Sequence, residues 1–178
     1  MRRAMKARRA AAEDRPLRDE KIFQNFISRF GNAGDRYFVY MSFGSEADTH
    51  RIIAELMRRD KRVYLPRTKG KEMELVRYTG QPLVRGAFGI AEPGGEAEEV
   101  FPEVCVLPLL AADGECRRLG YGGGFYDRYL AERGKTALKV GICYDFQIVG
   151  KIPAERHDVP LDAIVTDARI FCRGTTEE

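Results

Sequence analysis

Five short apolar runs constrain this chain most: "YFVYMSF" (37–43), "RVYLP" (62–66), "VCVLPLL" (104–110), "ALKVGICY" (137–144) and "LDAIVT" (161–166). Each is bounded by turn residues and is nearly devoid of the polar alternation of a half-exposed strand, so each reads as a strand buried on both faces. Amphipathic segments lie among them. Ile22, Phe23, Phe26, Ile27 and Phe30 recur with helical period, as do Ile52, Ile53, Leu56 and Met57. Asp14 followed by Pro16 marks the start of the first of these helices, Gly31 to Gly34 its end, and Asp48 or Thr49 caps the second. A further helix is expected over about 125–132, after a glycine-rich loop. Strands alternating with helices predict an α/β fold: a three-layer sandwich with a mostly parallel sheet and helices on both faces. "EMELVRY" (72–78) alternates in part and reads as a more exposed strand, whereas 79–103, rich in Gly, Pro and Glu, reads as a long irregular connection.

The 178 residues suit a single domain spanning 1–178. A net charge of +3 is too mild to announce a nucleic-acid partner. Cys105, Cys116, Cys143 and Cys172 are far apart, with neither Cys-x-x-Cys nor zinc spacing, and read as reduced thiols of a cytoplasmic protein. No apolar run is long enough to span a membrane, and the arginine-rich start is not followed by the apolar stretch of a signal peptide.

The stretch "RRLGYGGGFYDRYL" carries the chemistry. Gly120, Gly122, Gly123 and Gly124 fall within five positions, just before a predicted helix. Bare backbone amides at a helix start bind anions, and Arg117, Arg118 and Arg128 add positive charge. Asp127 repels phosphate unless a cation intervenes, and Mg²⁺ uses one or two carboxylates together with phosphate oxygens. The loop therefore reads as a nucleotide triphosphate site with Mg²⁺, although it matches neither the P-loop nor the Gly-x-Gly-x-x-Gly template. It follows a strand end, as "GSEADT" follows another, so both line one crevice at the carboxyl ends of the sheet.

The string "RLGYGGGFYDRYL", preceded by "VLPLLAADGE", resembles the signature of the 5-formyltetrahydrofolate cyclo-ligase (methenyltetrahydrofolate synthetase) family. "YMSFGSEADTHRII", "KRVYLPR", "FGIAEP", "VGICYDFQIV" and "RHDVPLDAIVT" resemble further blocks of that family, in order along the chain. The resemblance implies a Rossmann-like fold and ATP-dependent closure of 5-formyltetrahydrofolate to 5,10-methenyltetrahydrofolate, with release of ADP and phosphate. It implies that Arg2 and the loop residues Arg118, Leu119, Gly120, Tyr121, Gly122, Gly123, Gly124, Phe125 and Tyr126 face ATP. Tyr121, Gly122, Gly123, Gly124 and Phe125 would also touch the folate, with Met41 packing on the pterin ring and Glu46 bonding to it. Phe88 is a further stacking candidate. Asp127 and Asp158 would hold Mg²⁺, and Arg118 and Asp127 would be the catalytic pair. The resemblance implies two small-molecule substrates and neither nucleic acid nor membrane as partner. The family's first helix carries a lysine three residues before an arginine. Here the arginine falls at Arg2 with no residue left for the lysine, or Lys6 and Arg9 take these places in a shifted register. Phe125 stands where tyrosine is common.

Plainer readings stand beside these. The five basic residues among the first nine read as the solvated face of a helix, or as an RNA-binding surface. Glu46 reads equally as a surface residue before a helix, Asp158 as a turn residue, and Tyr126 and Tyr129 as core of their helix. His50 and His157 read as structural. Two other function classes follow: a non-catalytic nucleotide-binding protein on the same fold, and an RNA-binding protein using its basic first helix.

Overall fold

The computed structural model describes residues 1–86, 89–153 and 158–174. In chain order the elements are α1 (Arg2–Ala10), α2 (Arg15–Phe30), β1 (Arg36–Val39), α3 (His50–Arg58), β2 (Arg62–Lys69), β3 (Glu72–Tyr78), β4 (Leu83–Arg85), β5 (Ala91–Pro93) and β6 (Ala97–Glu98). These are followed by β7 (Val104–Pro108), β8 (Ala111–Asp113), β9 (Arg118–Leu119), α4 (Phe125–Glu132), β10 (Leu138–Ile142), β11 (Ile148–Val149), β12 (Ala163–Val165) and β13 (Ile170–Cys172).

Among the described residues the main sheet runs β13-β12-β10-β7-β1-β2-β3-β6. The five apolar runs supply its parallel centre, β12, β10, β7, β1 and β2. Antiparallel β3 and β6 close one edge and β13 the other. Side chains of successive strand residues point to opposite faces, and the core divides accordingly. Tyr37, Val39, Val104, Val106, Val140 and Val165 join the α2 and α3 side chains Ile22, Phe26, Phe30, Ile52 and Leu56 on one face. Phe38, Cys105, Leu107 and Ile164 join Tyr129 and Leu130 of α4 on the other. The expected three-layer α/β sandwich is therefore present.

The structure adds elements that periodicity did not predict. β13 follows "LDAIVT", β8 and β9 intervene between β7 and the glycine loop, and the 79–103 connection holds three short strands. None of these is longer than three residues, too short for a period to register. The run 37–43 is a strand only to Val39; the Tyr40 N–H still bonds the Val106 carbonyl of β7 at 3.3 Å, and by Ser42 the N–H turns to Thr49 Oγ1 at 3.0 Å. Asp14 and Thr49 do occupy the N-cap positions of α2 and α3.

A small second sheet, β11-β8-β9, forms beyond the carboxyl end of β7. α1 docks on it through Met5, which packs with Ala111 and Ile152. No helix among the described residues is long and apolar enough to cross a membrane.

Candidate active site

The glycine loop leaves β9 and enters α4, so both of its ends are anchored. Gly122 and Gly124 adopt φ of 99° and 65°, a region costly for any residue with a Cβ. Gly124 is the N-cap of α4, and its carbonyl accepts the Arg128 N–H at 3.0 Å. The loop thus turns sharply onto the amino end of α4, where backbone N–H groups lack helical partners.

At the α4 end, Arg118 Nη2 lies 2.6 Å from Asp127 Oδ1. The Arg118 side chain is only 6% exposed, and its Nε is buried without a hydrogen-bond partner among the described residues. A buried guanidinium N–H without a protein acceptor calls for an explanation, and an acceptor supplied by a ligand is one. Asp127 Oδ1 also accepts the Val159 N–H at 3.3 Å, which ties α4 to the segment bearing Asp158. Arg118, Asp158 and Val159 line one groove of about 620 Å³, together with Arg117 and Arg173. The fold therefore brings Arg118, Asp127 and Asp158 into one neighbourhood.

At its other end the loop meets "GSEADT". The Tyr121 hydroxyl donates to Glu46 Oε1, and the Phe43 N–H donates to Glu46 Oε2 at 2.9 Å. Burial pushes the Glu46 carboxyl above the usual range, against the opposing pull of these two donors and the Arg9 charge. Tyr126 stacks on Phe38 at 5.9 Å between ring centroids, close enough to the Glu46 carboxylate to feel its charge, which adds to burial in raising the phenol. Tyr129 meets Phe38 edge-on, so the core reading of both tyrosines matches their packing. Met41 is buried in the same cluster as Tyr40 and Ala47. Phe125 sits under the Arg128 guanidinium, 5.0 Å from its ring centroid. Phe88 and His157 lie outside the described residues.

The basic face of α1 is not simply solvated, which corrects the plainer reading. Arg2 Nε donates to the Gly120 carbonyl at 2.9 Å, and Lys6 Nζ lies 5.3 Å from the Tyr121 ring centroid. Arg8 Nη1 donates to the Phe146 carbonyl at 3.0 Å. Arg9 is buried and donates to Ser45 Oγ at 3.1 Å and to the Tyr121 hydroxyl at 2.9 Å. Arg2, Arg3, Lys6 and Arg8 remain exposed, and Arg9 alone of the five turns inward, on the face where Met5 docks the helix on the small sheet beside the loop. Arg9 entered the sequence reading only as the shifted-register alternative, with Lys6, to Arg2; Ser45 escaped it, although it lies within the "GSEADT" segment already assigned to the site.

Among the described residues no group of three or more His, Cys, Asp or Glu side chains is gathered as a metal centre. Magnesium held with a nucleotide does not need one, since it keeps waters and phosphate oxygens and takes one or two carboxylates. Asp127 and Asp158 fit that donor set.

Fold and site together define a doubly wound α/β enzyme whose glycine loop spans an arginine–carboxylate pair and a second, half-buried carboxylate. Residues 1–167 match the 5-formyltetrahydrofolate cyclo-ligase family, and the chain belongs to it. A 5-formyltetrahydrofolate cyclo-ligase of Escherichia coli is 39% identical over 143 residues, covering 75% of this chain and 78% of that protein. The solution structure of 5,10-methenyltetrahydrofolate synthetase from Aquifex aeolicus superposes with a TM-score of 0.84 at 30% identity, covering 99% of this chain and 93% of the other. A 5,10-methenyltetrahydrofolate synthetase of Mycoplasma pneumoniae shares the fold, with a TM-score of 0.77 at 23% identity over 93% of this chain and 96% of its own.

Proposed function

We propose that this enzyme closes 5-formyltetrahydrofolate to 5,10-methenyltetrahydrofolate at the expense of ATP, in the cytoplasm, as a single domain. The observation that carries the reading is the glycine loop, with Arg118 and Asp127 at one end and Tyr121 on Glu46 at the other. One short segment thereby borders both a phosphate-binding and a ring-binding region, as transfer between two bound molecules requires.

The formamide oxygen is a poor leaving group. Transfer of the γ-phosphoryl group to that oxygen, with ADP leaving, makes it a good one. N10 then attacks the activated carbon and loses its proton, and the C–O bond breaks with departure of phosphate. Phosphoryl transfer depends on positioning and charge stabilisation. Arg118, with its unbonded Nε, and the amides of 120–124 supply these to the phosphates. Arg2, at the Gly120 carbonyl, borders the same loop. Asp127 and Asp158 would hold Mg²⁺, which neutralises charge on the phosphates. Glu46 accepts from the adjacent N–H donors of the pterin, with Met41 behind it in the core and Phe125 at the start of α4. No covalent enzyme intermediate is needed.

The test is turnover of 5-formyltetrahydrofolate with and without MgATP, followed as the near-ultraviolet absorbance of the methenyl product. ATP-dependent absorbance supports the reading; none from folded protein favours a non-catalytic nucleotide-binding role.

A further inference from the structure

Among the described residues, Asp113 and Glu92 are buried carboxylates that the mechanism above does not use, and Asp113 is the deeper. Asp113, at the end of β8, is 2% exposed. Its Oδ1 accepts the N–H groups of Glu115 and Arg117, each at 3.0 Å. Its Oδ2 accepts the Ile152 N–H at 2.9 Å, from a segment 39 residues away. The Arg117 guanidinium lies 3.6 Å from the same Oδ2. An Asx turn explains bonds to residues two and four positions on. It does not explain the second oxygen, which reaches across to the strand-end that continues from β11.

We infer that Asp113 is a positioning residue for the phosphate side of the site, acting through Arg118; this rests on the proposed ATP-dependent reaction. The β8–β9 hairpin pairs Ala111 with Leu119 and Ala112 with Arg118, one further backbone bond runs from the Asp113 N–H to the Arg117 carbonyl at 3.1 Å, and Cys116 within its turn adopts a φ of 61°. So short a ladder with a left-handed residue holds its shape poorly alone. The Asp113 carboxylate cross-links that turn to Ile152. Arg118 is the residue immediately after the clamped Arg117 N–H, and its guanidinium donates to Asp127 Oδ1 at 2.6 Å. The direction of Arg118 is thus set by the backbone that Asp113 holds. Asparagine has the same shape but would turn an amide N–H onto a backbone N–H on one side or the other, so the clamp opens on that side.

The test compares Asp113→Asn with the parent enzyme by steady-state kinetics on both substrates. KM for MgATP rises roughly tenfold or more, while KM for the folate stays within about twofold. A merely structural role lowers the melting temperature and the active fraction and leaves both KM values unchanged, and that result overturns the inference. In an Arg118→Ala background, Asp113→Asn adds no further rise in KM for MgATP; an equal further rise shows that Asp113 does not act through Arg118. If Asp113→Asn does not fold, Asp113→Glu is read for the same split, and failure of both to fold overturns the inference. Absence of ATP-dependent turnover in the parent protein defeats the proposed reaction instead, and the two failures are separable.

Discussion

Arg118 and Asp127 face each other at 2.6 Å, one at the entrance and the other just past the exit of the glycine loop. The pair closes the loop into a ring that contains the four glycines. The carboxylate that neutralises the arginine in this structure is also the one proposed to meet magnesium, and ligand binding must redistribute that charge.

Replacing Asp127 by Asn removes the carboxylate and keeps its shape. Turnover should fall on the order of 10²-fold and cease to respond to added Mg²⁺. The Asp127 side chain is 25% exposed but its Arg118 partner only 6%, so the variant leaves a buried guanidinium short of its counter-charge and the melting temperature should fall as well. Titrating rate against Mg²⁺ and melting the variant check both statements. Undiminished, Mg²⁺-responsive turnover removes Asp127 from the metal site.

Glu46 carries a raised carboxyl pKa because burial disfavours its charge. A carboxylate raised on folding binds its proton more tightly in the native state, so its contribution is fully present below the unfolded value and is lost as pH rises through the folded one. Glu46→Gln mimics the protonated form. It should raise the melting temperature at neutral pH by about 2–4 °C, with the gain vanishing below the ordinary carboxylate range. The same variant should raise KM for the folate. A gain that grows on acidification contradicts the sign.

Gly124 holds a φ of 65°, and a Cβ there would come within 2.8 Å of Arg128 Nη1. The arginine tip can move; the left-handed backbone remains. Gly124→Ala should cost about 1–2 kcal/mol of stability, measured by denaturant unfolding. KM for MgATP should rise with it, since the turn aims the loop amides. Unchanged stability would indicate that the loop takes another conformation in solution.

Cys105, Cys116 and Cys143 are buried thiols, and Cys172 is half-buried. Burial pushes the Cys105 thiol to about 12 and the Cys116 thiol to about 11. A thiol reagent at neutral pH should therefore label Cys172 first, with the other three reacting only in denaturant. Rapid labelling of all four in native buffer would contradict this burial.

The layered α/β fold was legible because each central strand is buried on both faces, and only uninterrupted apolar runs satisfy that demand. The glycine loop was legible for a similar reason: a turn with φ of 99° and 65° at Gly122 and Gly124 requires residues without a Cβ, and these leave a local trace. What the string of residues could not carry was direction. Arg9 and Arg2 look like the solvated charges of a polar helix until Met5 docks α1 beside the loop. Asp113 looks like a turn residue until Ile152 arrives at its second oxygen. Strand burial and loop chemistry are properties of neighbours in sequence, so the sequence by itself determined them. Arg9 meets Ser45 and Tyr121, Asp113 meets Ile152 and Glu46 meets Tyr121 across dozens of residues, and only the packing of α1, the small sheet and the glycine loop against one another decided these meetings.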